Sequence, residues 1–161
     1  MQNFKLYYIS EKYINYLRMF DSKVAYNKSL TRPYVGVVYT YNGYNYFAPL
    51  SSPKEKQLKI KSNSIDVFKI DDGKLGIVNL NNMIPTPIEE LTEVFSIITD
   101  KKYKVLLENQ LSFLNNHKRQ LMKKVEYFQR LYRKNHLTDN VLDRTCNFIL
   151  LEEKMKEYVK K

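Results

Sequence analysis

The sequence predicts an α+β fold, in which a small, mostly antiparallel β-sheet core is flanked by helices and the C-terminal half is helical. Strand patterns cluster in the first half of the 161-residue chain, where an Asn-Gly pair separates two β-rich runs. From about residue 88 onward, apolar residues follow helical spacing instead. Because strands and helices occupy separate halves, we expect a single domain, 1–161, with helices packed on one sheet.

The first two elements are predicted to be a strand and a helix. In NFKLYYIS, apolar side chains at every second position predict a short strand. Ser10 can then cap a helix over EKYINYLRMF, whose apolar residues share one face. The polar, mostly aperiodic stretch 21–32 is expected to be a surface loop that carries several cations.

Two hairpins are expected next. Asn42 and Gly43 lie between β-rich runs, and a type I′ turn needs positive φ at both of its central positions. A second hairpin is expected in SIDVFKIDDGKLGIVNL, with its turn at Asp72 and Gly73. The first half therefore predicts strands joined by short turns.

The second half predicts helices. Pro85 and Pro87 are expected to end the sheet region. From 103 to 134, apolar residues spaced three and four apart form the stripe of a long amphipathic helix. The polar stretch LNNHKR inside it predicts a kink or a split, and a last helix is expected in CNFILLEEKMKEYV.

The chain is strongly basic, with 27 Lys and Arg against 17 Asp and Glu and a formal charge of +10. An excess of this size favours a polyanionic partner, foremost nucleic acid, through phosphate contacts and counterion release. No run approaches the roughly 18 apolar residues of a membrane-spanning helix, and the start does not resemble a signal peptide. Because Cys146 is the single cysteine, an intramolecular disulfide is excluded. We expect a cytoplasmic protein that does not contact a membrane.

Few residues suit metal-assisted or nucleophilic catalysis. His117 and His136 are the only histidines, and one cysteine cannot complete a tetrahedral metal site. Asp71 and Asp72 are better explained by turn chemistry, and the four glycines are not spaced for a phosphate-binding loop. We therefore expect no metal site and no cofactor.

Basic residues concentrate between 101 and 134, where ten oppose two acidic ones. A charged helix face is usually only solvated, but an excess this large favours a track for a phosphate backbone. The residues predicted to contact RNA there are Lys118, Arg119, Lys123, Lys124 and Arg130. In the first half, cations are interleaved with tyrosines and serines, and the residues predicted to contact RNA are Lys28, Lys56 and Lys59.

A strand-like run ends in the segment YFAPLSSPKEK, 46–56, where two serines, a proline and a lysine follow one another. Metal-free RNA cleavage requires that the 2′-OH lose a proton, that the phosphorane charge be balanced and that the leaving 5′-oxygen gain a proton or a cation. Lys, Arg, Ser and Tyr can meet these needs without histidine. The same residues also fit an ordinary turn with a surface lysine, so composition leaves both interpretations open.

Three segments resemble signature segments of the ToxN/AbiQ family, the protein toxins of type III toxin–antitoxin systems. They are FAPLSSPKEK (47–56), LGIVNLNNMIP (75–85) and TCNFILLEEK (145–154). The opening YYISEKYINYLRMFDSKV and the strand RPYVGVV are also similar to the start of the family. The resemblance therefore extends over nearly the whole chain in the same order.

The resemblance implies a fold and an activity. Members have a compact β-sheet core flanked by helices, distantly like the Kid/MazF toxins, and are sequence-preferring endoribonucleases that cleave mRNA without metal to leave a 2′,3′-cyclic phosphate and a 5′-OH. The implied partner is a small repetitive RNA antitoxin, which the toxin cleaves into pseudoknot units. These units bind and inhibit the toxin in a closed toxin–RNA assembly, and no obligatory protein partner is implied. Several such systems abort phage infection. A non-catalytic RNA-binding module remains the alternative, since charge and tyrosines alone would suffice for it.

The resemblance also implies site residues. The family's hydroxyl-hydroxyl-Pro-Lys motif falls on Ser51, Ser52, Pro53 and Lys54, where Lys54 either carries a proton or balances charge, and the two serines orient the phosphate. A basic residue before the second strand falls on Arg32, and as an arginine it would act as a charge clamp. A loop tyrosine is also implied, and the nearest candidate is Tyr26, which would stack or hydrogen-bond at the cleaved step.

Overall fold

The structure, a computed structural model, describes residues 2–26, 32–61 and 63–160. Seven strands lie in these ranges, and they are β1 (Lys5–Ile9), β2 (Tyr34–Tyr41), β3 (Tyr44–Ser51), β4 (Val67–Lys69), β5 (Ile77–Asn79), β6 (Ile84–Pro85) and β7 (Leu91–Glu93). The α-helices described are α1 (Glu11–Arg18), α2 (Glu55–Leu58), α3 (Lys101–Asn116), α4 (Lys118–Arg133), α5 (Asp139–Asp143) and α6 (Phe148–Lys160). The predicted α+β class with a helical C-terminal half is confirmed.

All seven strands belong to one sheet, in the order β4-β5-β3-β2-β1-β7, with β6 paired to β3 off this path. Every described pairing is antiparallel. Strand β3 pairs with β2, β5 and β6, so it is the strand with the most partners. Its C-terminal residue, Ser51, pairs with Ile77 of β5.

Both predicted hairpins are present. Asn42 and Gly43 join β2 to β3 with φ angles of 50° and 83°, as a type I′ turn requires. The β4–β5 hairpin turns through Asp71, Asp72 and Gly73, all with positive φ. Its connection spans 70–76 and is longer than a two-residue turn, since the strands end at 69 and begin again at 77.

Ser10 caps α1 as predicted, because its Oγ accepts a hydrogen bond from the Tyr13 backbone N–H at 3.2 Å. The prediction that Pro85 and Pro87 end the sheet was wrong. Strand β7 follows them and pairs with β1, with Leu91 opposite Ile9. A three-residue strand carries too short a pattern to be read from the sequence, and its pairing with the β1 edge exists only in the folded chain.

The long apolar stripe forms two helices, split at His117. The His117 ring stacks on Phe113, with centroids 3.9 Å apart, and its Nδ1 lies 2.8 Å from the Phe113 carbonyl oxygen. Five stripe residues on the two sides of the split are at most 1% exposed, and they are Leu107, Leu114, Leu121, Val125 and Phe128. The stripe thus covers the sheet core on one side, as the spacing predicts.

A buried polar cluster joins the last helices to β3. Glu152 on α6 forms an ion pair with Arg133 on α4 at 2.7 Å, and the Tyr46 hydroxyl donates a hydrogen bond to the same carboxylate. The Arg133 guanidinium also lies over the Tyr41 ring, 3.6 Å from its centroid. Arg133, one of the ten basic residues counted in this region, is therefore committed to a structural role.

None of the helices within the described ranges is both long and apolar enough to cross a membrane.

Candidate active site

Two strand ends bring the predicted site residues together. The start of β2 lies beside the end of β3, with Tyr34 opposite Pro49, and the Leu50 N–H donates to the Pro33 carbonyl oxygen at 3.0 Å. Arg32, just before β2, therefore lies near Ser51, the last residue of β3. Residues 19 positions apart in the chain meet because the hairpin between the two strands is tight.

A cavity of about 210 Å³ opens at this edge of the sheet. Four of the five predicted catalytic residues line it, together with four residues that carried no prediction. The lining residues are Arg32, Pro33, Leu50, Ser51, Ser52, Lys54, Tyr103 and Gln110. The structure thus brings a hydroxyl pair and two cations onto one small cavity.

Ser51 is held by a neighbouring strand. Its Oγ accepts a hydrogen bond from Asn79 Nδ2 on β5 at 2.9 Å. Since the Asn79 amide nitrogen is the donor in that bond, the Ser51 hydroxyl hydrogen is left for another acceptor. Ser51 is partly buried, whereas Ser52 is exposed, so the two serines differ in their access to solvent.

The backbone of Lys54 is anchored while its side chain is exposed. Its N–H donates to the Gln57 side-chain oxygen at 3.2 Å, and its carbonyl oxygen accepts from the Gln57 N–H at 2.9 Å. Gln57 is only 2% exposed, so the first turn of α2 is fixed to the protein interior. Pro53, with its restricted φ, precedes this anchored residue. The position from which the Lys54 ammonium reaches the cavity is thereby defined.

Gly76 lets the β4–β5 connection approach the backbone of Ser51 closely. A Cβ at Gly76 would lie 2.1 Å from the Ser51 carbonyl oxygen, and its φ is +107°. Only glycine tolerates both the contact and the backbone conformation without strain. The same connection contacts Gln110, because the Leu75 carbonyl oxygen accepts a hydrogen bond from Gln110 Nε2 at 2.7 Å.

Helix α3 adds two residues that sequence reasoning missed, Tyr103 and Gln110. Asp100 caps the helix by accepting from the Tyr103 N–H at 3.0 Å, which places Tyr103 in the first turn. Burial raises the pKa of Tyr103, Tyr8 adds to that effect, and the Arg32 charge opposes it. One signal could have found Gln110, which is a polar residue on the buried stripe, between Leu107 and Leu114.

Tyr26 does not line the cavity. Its side chain is 56% exposed, and its ring lies 5.5 Å from the Arg18 guanidinium carbon. Its backbone carbonyl oxygen accepts a hydrogen bond from Arg32 Nε at 3.3 Å. Tyr26 thus helps to orient Arg32, and a role for its ring at the cleaved step stays a prediction.

The residues predicted to contact RNA lie in three places. Lys28 is outside the described residues. Lys56 on α2 and Lys59 just after it are exposed, and both follow the cavity residue Lys54 in the chain. On α4, Arg119, Lys123 and Arg130 are exposed.

The other two residues of α4 that are predicted to contact RNA are less accessible. The Lys118 ammonium lies 5.0 Å from the centroid of the Phe4 ring. Burial lowers the pKa of Lys124, and the Asp66 charge opposes that shift. These two lysines therefore pack partly against the protein, while Arg119, Lys123 and Arg130 face solvent.

One face of α4 forms a basic stripe. Its members are exposed and are spaced three or four residues apart, so they follow a single helix face, and they are Arg119, Lys123, Tyr127, Arg130 and Lys134. Tyr127 is 48% exposed, so an aromatic ring lies between the cations. This basic stripe combines the two groups that contact nucleic acids, cations for phosphates and a flat ring for bases.

Within 2–26, 32–61 and 63–160, no three His, Cys, Asp or Glu side chains come together as a metal ion would require.

The chain belongs to the ToxN toxin family of type III toxin–antitoxin systems, whose family model matches residues 5–156. Endoribonuclease ToxN of Bacillus thuringiensis subsp. kurstaki is 36% identical over 168 residues, which cover 97% of this chain and 84% of that protein. The family resemblance seen in the sequence is confirmed.

Two solved structures share the fold. The structure of AbiQ, a lactococcal anti-phage endoribonuclease of a type III system, matches with a TM-score of 0.83 and 31% identity, over 99% of this chain and 100% of that chain. A second structure comes from work on selective toxin inhibition by a non-coding RNA pseudoknot in type III systems, and it matches with a TM-score of 0.81 and 34% identity, over 99% of this chain and 100% of that chain.

Proposed function

We propose that this protein is an endoribonuclease toxin that cleaves mRNA and its own antitoxin precursor without a metal ion. The observation that carries the proposal is the cavity at the end of β3, because Arg32, Ser51, Ser52 and Lys54 all line it. Membership of the ToxN family and the endoribonuclease activity named for its relatives support it. The whole chain acts as one toxin domain in the cytoplasm, where its RNA substrates are.

The reaction is an internal transesterification. The 2′-oxygen gives its proton to a water molecule and attacks the adjacent phosphorus, and the bond between phosphorus and the 5′-oxygen breaks. The 5′-oxygen takes up a proton from water, so the products carry a 2′,3′-cyclic phosphate and a 5′-OH. Negative charge builds on the non-bridging oxygens during attack, and hydrogen-bond donors and cations fixed around the phosphate lower that barrier.

The side chains of the cavity supply these groups. Ser51 donates its remaining hydroxyl hydrogen to a phosphate oxygen, because Asn79 already occupies its acceptor side. Arg32 and Lys54 balance the phosphorane charge. The exposure of Lys54 favours this charge-balancing role over proton transfer, because a proton-carrying lysine is normally desolvated. Tyr103, which lines the cavity, offers a second aromatic ring for stacking or hydrogen bonding, while the loop-tyrosine role that the family pattern implies stays assigned to Tyr26.

The inhibitor is a small repetitive RNA, folded as a pseudoknot in a closed toxin–RNA assembly with no obligatory protein partner. A pseudoknot RNA inhibits the toxin in a relative with this fold. The basic stripe on α4 contacts the backbone of this RNA. The bound antitoxin RNA blocks the cavity and keeps the toxin inactive until a phage infects the cell. The anti-phage role named for AbiQ supports this last step.

The test is cleavage of mixed RNA by the purified protein in excess EDTA, with the ends of the products mapped. We expect cyclic phosphate ends, and a loss of roughly 10²- to 10³-fold in rate for Lys54→Ala, the range seen when a group that stabilises transition-state charge is removed. Lys156→Ala, an exposed lysine on α6, is the matched control. If the protein binds RNA tightly but leaves it intact, it is a non-catalytic RNA-binding module and the proposal is wrong.

A further inference from the structure

Gln110, which lines the cavity, has a buried side-chain acceptor without a partner within the described residues. Its side chain is 1% exposed, and its Nε2 donates to the Leu75 carbonyl oxygen at 2.7 Å. A carbonyl oxygen can only accept, so the amide nitrogen must point to Leu75 and Oε1 must point away from it. Oε1 has no hydrogen-bond partner within the described part of the chain.

Buried polar atoms without a partner are uncommon, because each has given up hydrogen bonds to water. Among the described residues, only three side-chain atoms are in this state, Tyr34 Oη, Asn81 Oδ1 and Gln110 Oε1. Of these residues, Gln110 alone lines the candidate active site. A ligand donor in the cavity would satisfy this oxygen.

The chemistry of RNA limits what that donor can be. A phosphodiester is ionised at neutral pH and offers only acceptors, so it belongs near Arg32 and Lys54 and cannot satisfy Gln110. The donors of RNA are its 2′-hydroxyls and the N–H groups of its bases. Tyr103 lies seven residues before Gln110 on α3, about two turns away on the same face. Its half-buried ring offers a base a surface on which to stack.

We propose that Gln110 is a specificity-determining residue whose Oε1 accepts a hydrogen bond from the exocyclic amino group of the base beside the scissile phosphate. This inference rests on the proposed endoribonuclease function. Nε2 already has a partner in the Leu75 carbonyl oxygen, whereas Oε1 has none within the described residues, so the acceptor is the group that we assign to the substrate. Adenine, cytosine and guanine carry an exocyclic amino group, whereas uracil has carbonyl oxygens at its exocyclic positions and only its ring N3–H as a donor, so we expect uracil to be disfavoured at this position.

The experiment compares the wild type with Gln110→Met, which keeps the length of the side chain and removes the acceptor. Both proteins cleave a pool of random-sequence RNA, and sequencing of the ends gives the base preference at each flanking position. Oligonucleotides with the preferred base are then compared with analogues that lack its amino group, purine riboside for adenosine, inosine for guanosine or zebularine for cytidine. Thermal unfolding verifies that the variant is folded.

We expect the wild type to cleave the analogue about tenfold more slowly, as expected when a buried acceptor loses its donor, and Gln110→Met to cleave both at the same rate. If Gln110 acts only through its hydrogen bond to Leu75, Gln110→Met should cleave both substrates more slowly by the same factor, and the ratio of the two rates should equal that of the wild type. That result overturns the inference. Substrates with a 2′-deoxy substitution at a flanking nucleotide test the other possible donor. If Gln110→Met removes the discrimination against the 2′-deoxy substrate and not that against the base analogue, the inference is overturned as well. If the wild type cleaves no RNA, the proposed function fails and the inference falls with it.

Discussion

Replacing Gly76 by alanine should damage the site through the backbone of the β4–β5 connection. The new Cβ would lie 2.1 Å from the Ser51 carbonyl oxygen, where ordinary contacts begin at 3.4 Å, so the connection or the end of β3 must move by more than 1 Å. The residue also has a φ of +107°, which strains any residue with a Cβ. Strain and overpacking together should lower the free energy of unfolding by about 2–4 kcal/mol.

The displacement falls on the residue that holds a phosphate in our mechanism. Because a misplacement of about 1 Å at a reacting group can cost 10²-fold in rate, we expect RNA cleavage by Gly76→Ala to fall roughly 100-fold. Cleavage assays on folded protein, with thermal unfolding in parallel, measure both effects. Gly43→Ala is the matched control, since Gly43 has a φ of +83° but no atom within 4 Å of its added Cβ. If both variants behave alike, the contact with Ser51 has no role in the site.

Two further predictions concern the basic stripe and Tyr158. Replacing Lys123 and Arg130 by Gln should reduce the salt dependence of antitoxin binding. If each residue contacts one phosphate of single-stranded RNA, the slope of log binding constant against log salt concentration should become about 1.4 smaller in magnitude. The double variant Lys156→Gln and Lys160→Gln is the control, and an unchanged slope in the first variant would refute RNA binding by the basic stripe. Burial, with help from a hydrogen bond to a carboxylate, raises the pKa of Tyr158 from 10.0 to about 12. Because the pKa is higher in the folded state than in the unfolded one, the neutral tyrosine stabilises the fold below pH 10, and this stabilisation is lost as the pH rises toward 12. The free energy of unfolding in urea should therefore fall above pH 10. A free energy that stays constant up to pH 12 would contradict this.

The elements that could be predicted are those with local signals. Asn42-Gly43 predicted a hairpin because positive φ at both positions is a property of the two residues themselves. Ser10 predicted a cap because its partner is three residues away. The split at His117 followed from a polar interruption of the apolar stripe. Each of these depends on neighbours within a few residues, which the sequence displays directly.

The elements that could not be predicted depend on distant partners. Strand β7 (Leu91–Glu93) forms because it pairs with the edge of β1. Three residues are too few to show a strand pattern that would predict this pairing. In the sequence, Arg133 resembles the other basic residues of 101–134, but in the fold it forms an ion pair with Glu152, 19 residues later. Tyr103 and Gln110 belong to a helix that starts some 50 residues after the Ser51-Ser52 motif, and only packing shows that they share its cavity.

For this protein, the sequence by itself determined the basic charge, the hairpins and amphipathic helices, and the hydroxyl-hydroxyl-Pro-Lys motif through which the family is recognised. Those properties reside in the order and type of neighbouring residues. The tertiary structure decided which residues surround that motif: Arg32 through the β2–β3 pairing, and Tyr103 and Gln110 through the packing of α3. It also decided that Gln110 Oε1 is left without a partner, because whether a buried atom is satisfied depends on everything that packs around it.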